Sequence, residues 1–155
     1  MECRLVVHGS AEYDATVALR YEVLRKPLGL DFTPEQLAAE VTDLHCALWA
    51  LGAPPDDAPR QGGVPELLAC LVLTPQSDGE IKMRQVAVQA SHQGKGLGRI
   101  LVEFSEATAR AHGFTRMVLN ARDTAVDFYL RLGYRIEGEP FTEVTIPHRR
   151  MAKSL

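Results

Sequence analysis

Two periods of apolar residues run along this chain, and the switches between them outline its elements. Residues 3–8 read as a first strand. From Ala11 to Leu28 the apolar positions Val17, Tyr21, Leu24 and Leu28 repeat at helical spacing, until Pro27 and Gly29 break the pattern. Thr33-Pro34-Glu35-Gln36 is a helix start: Thr33 caps, Pro34 fits the first turn and Gln36 completes a capping box, so a short helix is predicted over about 34–41. Asp43 to Leu51, with Trp49 inside it, reads as a strand. Residues 52–65 (GAPPDDAPRQGGVP) hold too much Pro and Gly for a helix or central strand and read as a surface hairpin loop. Leu67 to Leu73 is a fully apolar strand, Pro75 to Gly79 a turn, and Glu80 to Val88 the next strand. After a turn at Ser91 to Gly94, a long helix shows the stripe Leu97, Ile100, Leu101, Phe104, Thr108 and Ala111, stopping at Gly113. Met117 to Asn120 is a strand, and Ala125 to Leu132 a helix closed by Gly133. Tyr134 to Glu137 and Phe141 to Met151 complete a final strand pair.

The predicted order is β-α-α-β-β-β-α-β-α-β-β. Antiparallel strands lead into βα units, which implies an α/β class with one mixed sheet flanked by helices. A length of 155 residues suits a single domain over 1–155 with its own core. The net charge of −3 argues against a nucleic-acid partner. The first ten residues lack the apolar stretch of a signal peptide, and no run approaches the roughly 20 apolar residues of a membrane span, so no membrane partner is expected. Cys3, Cys46 and Cys70 are odd in number and widely spaced, which reads as reduced thiols filling small apolar sites in a cytoplasmic protein. His45, His92 and His112 lack metal-ligand spacing, and no metal is expected.

The chemistry concentrates where the strand ending Val86-Ala87-Val88 runs into Gln93-Gly94-Lys95-Gly96-Leu97-Gly98-Arg99. An apolar strand, a Gly-rich turn and a long amphipathic helix follow one another. A helix N-terminus offers unpaired N–H groups and a positive dipole end, suited to a pyrophosphate. Glycines let the main chain approach phosphates, and Lys95 and Arg99 add positive charge. A P-loop does not fit, because its Gly-x-x-x-x-Gly-Lys-Ser/Thr run is missing. The dinucleotide fingerprint does not fit either, because the glycines fall G-x-G-x-G after a late strand.

Gln93, Gly96 and Gly98 fill the Gln/Arg-x-x-Gly-x-Gly/Ala signature of the GNAT superfamily of N-acetyltransferases. Downstream, Ala125-Val126-Asp127-Phe128-Tyr129-Leu130-Arg131-Leu132-Gly133-Tyr134 resembles that family's A-x-x-x-Y-x-x-x-G-F/Y segment. The inferred element order resembles the family along nearly the whole chain. The tail from Glu143 to Met151 is similar to the ElaA/YjcF-like branch, whose substrates are largely open.

The resemblance implies a GNAT acyl-CoA N-acyltransferase fold, acetyl-coenzyme A as cosubstrate, and a small-molecule or peptide primary amine as acceptor. The main chain of Val86, Ala87 and Val88 would hold the pantetheine arm, and one N–H there would polarise the acetyl carbonyl. The N–H groups of Gly94, Lys95, Gly96, Leu97, Gly98 and Arg99 would hold the pyrophosphate, with Gln93 at the signature's first position. Tyr129 matches the general acid that protonates the departing sulfur, the other reading being a tyrosine packed beside core residues Phe128 and Leu132. The base stays open between His148, Glu143 and water. Arg20 and Arg25 read as a solvated helix face or as a site for an acidic group. The family's coenzyme-contacting Asn position is Arg122 here, with Asn120 two residues earlier. Monomer and homodimer both fit. A coenzyme A-binding sensor without turnover, or an enzyme with another acyl donor, are the alternatives.

Overall fold

Local chemistry sets where the N-terminal elements begin. The computed structural model describes residues 1–51 and 65–155. Strand β1 (Glu2–Val6) precedes helix α1 (Ala11–Arg20), whose Ser10 cap accepts from the Tyr13 amide at 3.2 Å. The helix does not stop at Arg20. It widens into a π segment, Tyr21–Arg25, then tightens into a 3₁₀ turn, Lys26–Leu28, and ends at Gly29 with φ 68°. Helix α2 (Pro34–Ala39) carries the expected capping box: Thr33 accepts from the Gln36 amide and Gln36 accepts from the Thr33 amide.

The remaining elements are β2 (Leu44–Trp49), β3 (Leu67–Pro75), β4 (Glu80–Val88), α3 (Leu97–Ala111), β5 (Arg116–Arg122), α4 (Val126–Arg131), β6 (Arg135–Glu143) and β7 (Ile146–Ser154). The strands form one seven-stranded mixed sheet in the order β1-β2-β3-β4-β5-β7-β6. The predicted class and element order hold. The loop expected at 52–65 falls, but for its last residue, outside the described residues. Among the described residues no helix is long and apolar enough to cross a membrane.

The chain divides into two compact units. The first holds Met1–Val72 and Gln85–Leu101. In it β1 pairs antiparallel with β2, from Glu2↔Trp49 to Val6↔His45. Its core gathers Val6, Tyr13, Ala47, Trp49, Leu67, Cys70 and Ala87. The buried face of α1 differs from the predicted one. Tyr13, Thr16 and Arg20 are buried, whereas Val17 and Leu24 are only half-buried and Leu28 is exposed. Spacing picked the apolar line, but partners elsewhere in the unit bury the polar one.

The second unit holds Leu73–Arg84 and Val102–Leu155. There β4 runs parallel to β5 from Glu80↔Arg116 to Met83↔Leu119, and β5 pairs antiparallel with β7. Strands β6 and β7 form the closing hairpin. Its turn is Val144-Thr145, with Glu143 opposite Ile146, so the predicted second strand of that pair is cut in two. A register shift between Glu137 and Phe141 accounts for the gap that separated the predicted strands. Along α3 the buried residues are Leu97, Leu101, Val102, Ser105, Glu106, Thr108 and Ala109. Ile100 and Ala111, placed on the apolar stripe by spacing, are exposed.

Candidate functional site

The Gly-rich turn lies wholly in the first unit and is tied to the strand before it. Within β4, Ala87 is buried and Val86 and Val88 are half-buried, the alternation of a strand. The Gln89 amide donates to the Leu68 carbonyl at 2.9 Å and its side chain to the Leu67 carbonyl at 2.7 Å. A 3₁₀ turn, Ala90–His92, follows. Gln93 then folds back, its side-chain amide donating to the Val88 carbonyl at 3.2 Å. The signature glutamine thus joins the turn to the strand end.

Gly94 and Gly96 take φ 77° and 81°, and nothing lies within 4 Å of a Cβ built on either. Both therefore meet a conformational need with open space above the main chain, which is where a ligand approaches a backbone. The first helical amide bond of α3 runs from Ile100 to the Gly96 carbonyl at 3.3 Å. The amides of the first turn ahead of it are those a helix leaves without an intrahelical acceptor. Lys95 and Arg99 are exposed on this turn. The residues present fit a pyrophosphate: glycine main chain, helix amides and two cations. Beside the turn opens a cavity of about 790 Å³ whose walls include Ala15, Ala18, Leu19, Val23 and Gln93. Nothing in the sequence marks the helix residues among these walls, because small and apolar helix positions carry no signal of facing a void.

Tyr129, on α4 in the second unit, is 7% exposed. Its ring meets Phe128 and Tyr134 edge-on, at 4.9 and 5.6 Å. Burial pushes its hydroxyl up to about 12, so the phenol stays protonated across the physiological range. Among the described residues no hydrogen bond occupies that hydroxyl. Its carbonyl, by contrast, accepts from the Leu132 and Tyr134 amides, both at 3.0 Å, closing α4 ahead of Gly133 at φ 92°. Tyr134 is anchored differently, its hydroxyl donating to Glu106 at 3.1 Å while Lys153 also reaches Glu106 at 2.8 Å. Phe128 and Leu132, expected in the core, are half-buried.

The candidate bases share a neighbourhood on the β6–β7 hairpin. His148 is buried and stacks on Phe141 at 5.8 Å. Its Nδ1 lies 2.7 Å from the Ile146 carbonyl, which as an acceptor assigns the proton to Nδ1. Its Nε2 faces the Glu143 carboxylate at 3.7 Å. Arg122 stands opposite His148 in the β5–β7 register, and Asn120 opposite Arg150.

Arg20 is neither a solvated residue nor available to an acidic ligand. It is fully buried, and its guanidinium grips the Glu40 carboxylate through two bonds of 2.8 and 2.9 Å. A third bond, at 2.8 Å, reaches the Gln85 side chain. Burial alone would push the Glu40 carboxyl up, but the bonds from Arg20 and Tyr13 outweigh it and hold the group below its usual range. Arg25 lies over the Phe32 ring at 4.6 Å. Cys46 and Cys70 are buried free thiols that burial pushes up to about 12, consistent with inert filler.

Residues 70–155 match the family model described as an acetyltransferase (GNAT) domain. A stretch of 77 residues, 49% of this chain, is 38% identical to the uncharacterized N-acetyltransferase YjcF of Bacillus subtilis and spans 55% of that protein. The chain spans about half the length of the curated relatives it matches. Among solved structures, a provisionally assigned N-acetyltransferase from Lactobacillus plantarum superposes with TM-score 0.79 at 26% identity, covering 100% of this chain and 99% of that one. An aminoglycoside 6'-N-acetyltransferase solved with coenzyme A has the same fold, with TM-score 0.75 at 16% identity over 99% and 97% of the two chains.

Proposed function

Because the chain belongs to the GNAT acetyltransferase family, we propose that it moves the acetyl group of acetyl-coenzyme A to a primary amine. The Gly94-Gly96 turn carries this reading: two left-handed glycines with empty space above them open a 15-residue helix beside an apolar strand end. In this proposal the main-chain amides of Gly94, Lys95, Gly96, Leu97, Gly98 and Arg99 hold the pyrophosphate. Val86, Ala87 and Val88 hold the pantetheine arm. The solved relative bound to coenzyme A supports the choice of cosubstrate.

The cosubstrate supplies an acetyl group activated as a thioester. The amine nitrogen, once deprotonated, attacks the acetyl carbon; the new C–N bond replaces the C–S bond. The departing sulfur, comparable in basicity to a thiol near ~8.5, takes its proton from the Tyr129 hydroxyl, and the second proton shed by the attacking nitrogen as the amide forms returns to that oxygen. The phenol is protonated at neutral pH, as an acid must be before it donates. The proton lost by the ammonium passes to water or to His148, whose Nε2, on the Glu143 side of the ring, is the nitrogen without the proton when Nδ1 donates to Ile146. The cavity against α1 provides room for a bound small molecule next to Gln93.

Release of free thiol from acetyl-coenzyme A, measured against a panel of polyamines, amino acids and aminoglycosides, tests the proposal. Amine-dependent release with at least one member is expected. Coenzyme binding without release across the panel and with peptide amines would favour a sensor instead.

A further inference from the structure

We infer that Arg20 is a positioning residue for acyl-thioester binding: with Glu40 it clamps the Gln85 side chain and so sets the main chain of Val86–Val88. The inference rests on the coenzyme reading above.

Gln85 sits at φ 53°, a left-handed conformation that a residue with a Cβ adopts only under constraint. It interrupts β4 immediately ahead of the three residues assigned to the pantetheine arm. Two residues earlier, at Met83↔Leu119, the β4–β5 register ends. What constrains Gln85 is visible. Arg20 Nη1 donates to its Oε1 at 2.8 Å, from a guanidinium with no exposed surface. That guanidinium is itself fixed by the paired bonds to Glu40, whose Oε1 also accepts from the Tyr13 hydroxyl at 2.7 Å. A forked bidentate pair allows little reorientation.

The other end of the segment is held independently. Gln89 bonds Leu67 and Leu68, and Gln93 bonds the Val88 carbonyl. Val86–Val88 is thus pinned at both ends within one unit, by Arg20 through Gln85 and by the turn through Gln93. A ligand arm that bonds main-chain amides as a strand does needs those amides fixed before it arrives, because ordering them on binding costs affinity. A clamp present only for stability would affect every ligand alike. A clamp on Val86–Val88 affects only the arm.

The experiment separates the two with calorimetric titrations of coenzyme A and of 3′-phospho-ADP, its nucleotide half without the arm. Gln85→Met keeps length and removes the acceptor. It is expected to weaken coenzyme A about tenfold while leaving 3′-phospho-ADP within about twofold. Gln85→Gly, which accepts φ 53° without strain but drops the clamp, takes the same comparison if the Met variant does not fold. Unchanged coenzyme A affinity, or equal loss of both ligands, in a folded variant overturns the inference and leaves the coenzyme reading standing. A wild-type protein that binds neither ligand removes both.

Discussion

Tyr129, 7% exposed and with no hydrogen bond to its hydroxyl among the described residues, is the residue on which turnover should depend. Tyr129→Phe removes one oxygen and leaves the ring contacts with Phe128 and Tyr134 in place. Steady-state assays should show kcat lower by about 10²-fold or more, the range of general acid catalysis, with coenzyme affinity unchanged. The same variant has a stability signature. The hydroxyl titrates at about 12 folded against 10.0 unperturbed, so its contribution is complete below pH 10 and is lost as pH rises toward 12. Denaturant titrations at pH 9 to 11 should therefore show a slope shallower by about 1.4 kcal/mol per pH unit in the variant above pH 10. Equal slopes would mean that the hydroxyl is not desolvated. The role proposed for Tyr129 was legible from its motif; its environment was not. Arg20 shows the opposite case. Helical spacing placed it beside other basic residues, and nothing local announces a partner at Glu40, twenty positions on, or at Gln85, sixty-five positions on.

Helix starts and strand bounds followed their local codes. The capping box at Thr33 and Gln36 and the bounds of β4 emerged as read, because caps and apolar runs are decided by neighbours in sequence. The β6–β7 turn did not, because Val144-Thr145 breaks the rule for such a turn. A two-residue hairpin with both φ positive, here 50° and 62°, normally draws Asn-Gly. Two β-branched residues there store strain of about 1 kcal/mol or more each. Val144→Asn with Thr145→Gly should raise stability by about 1–2 kcal/mol in chemical denaturation. A fall in stability would show that the pair makes compensating contacts. The π segment Tyr21–Arg25 was equally silent in sequence, since its composition is that of any amphipathic helix.

At the scale of the whole molecule, the seven-strand order and the family match agree with the pattern of elements, and the motifs at 93–98 and 125–134 carry the assignment. Long periodic elements and glycine-marked turns survive reading from one sequence because each is specified several times over. The acceptor is not specified that way: the cavity wall formed by α1 and the π segment after it is built from Ala15, Ala18, Leu19 and Val23, residues that any helix uses. The main-chain cradle at Gly94 and Gly96 is the claim on which function rests. Isothermal titration of acetyl-coenzyme A into the wild-type protein and into Gly96→Glu tests it most directly. Saturable binding in the range of about 1 μM to 1 mM is expected for the wild type, as for enzyme substrates generally, and none for the folded variant, whose carboxylate meets the diphosphate. No binding to the wild type at millimolar cosubstrate, or equal binding to both proteins, would contradict it.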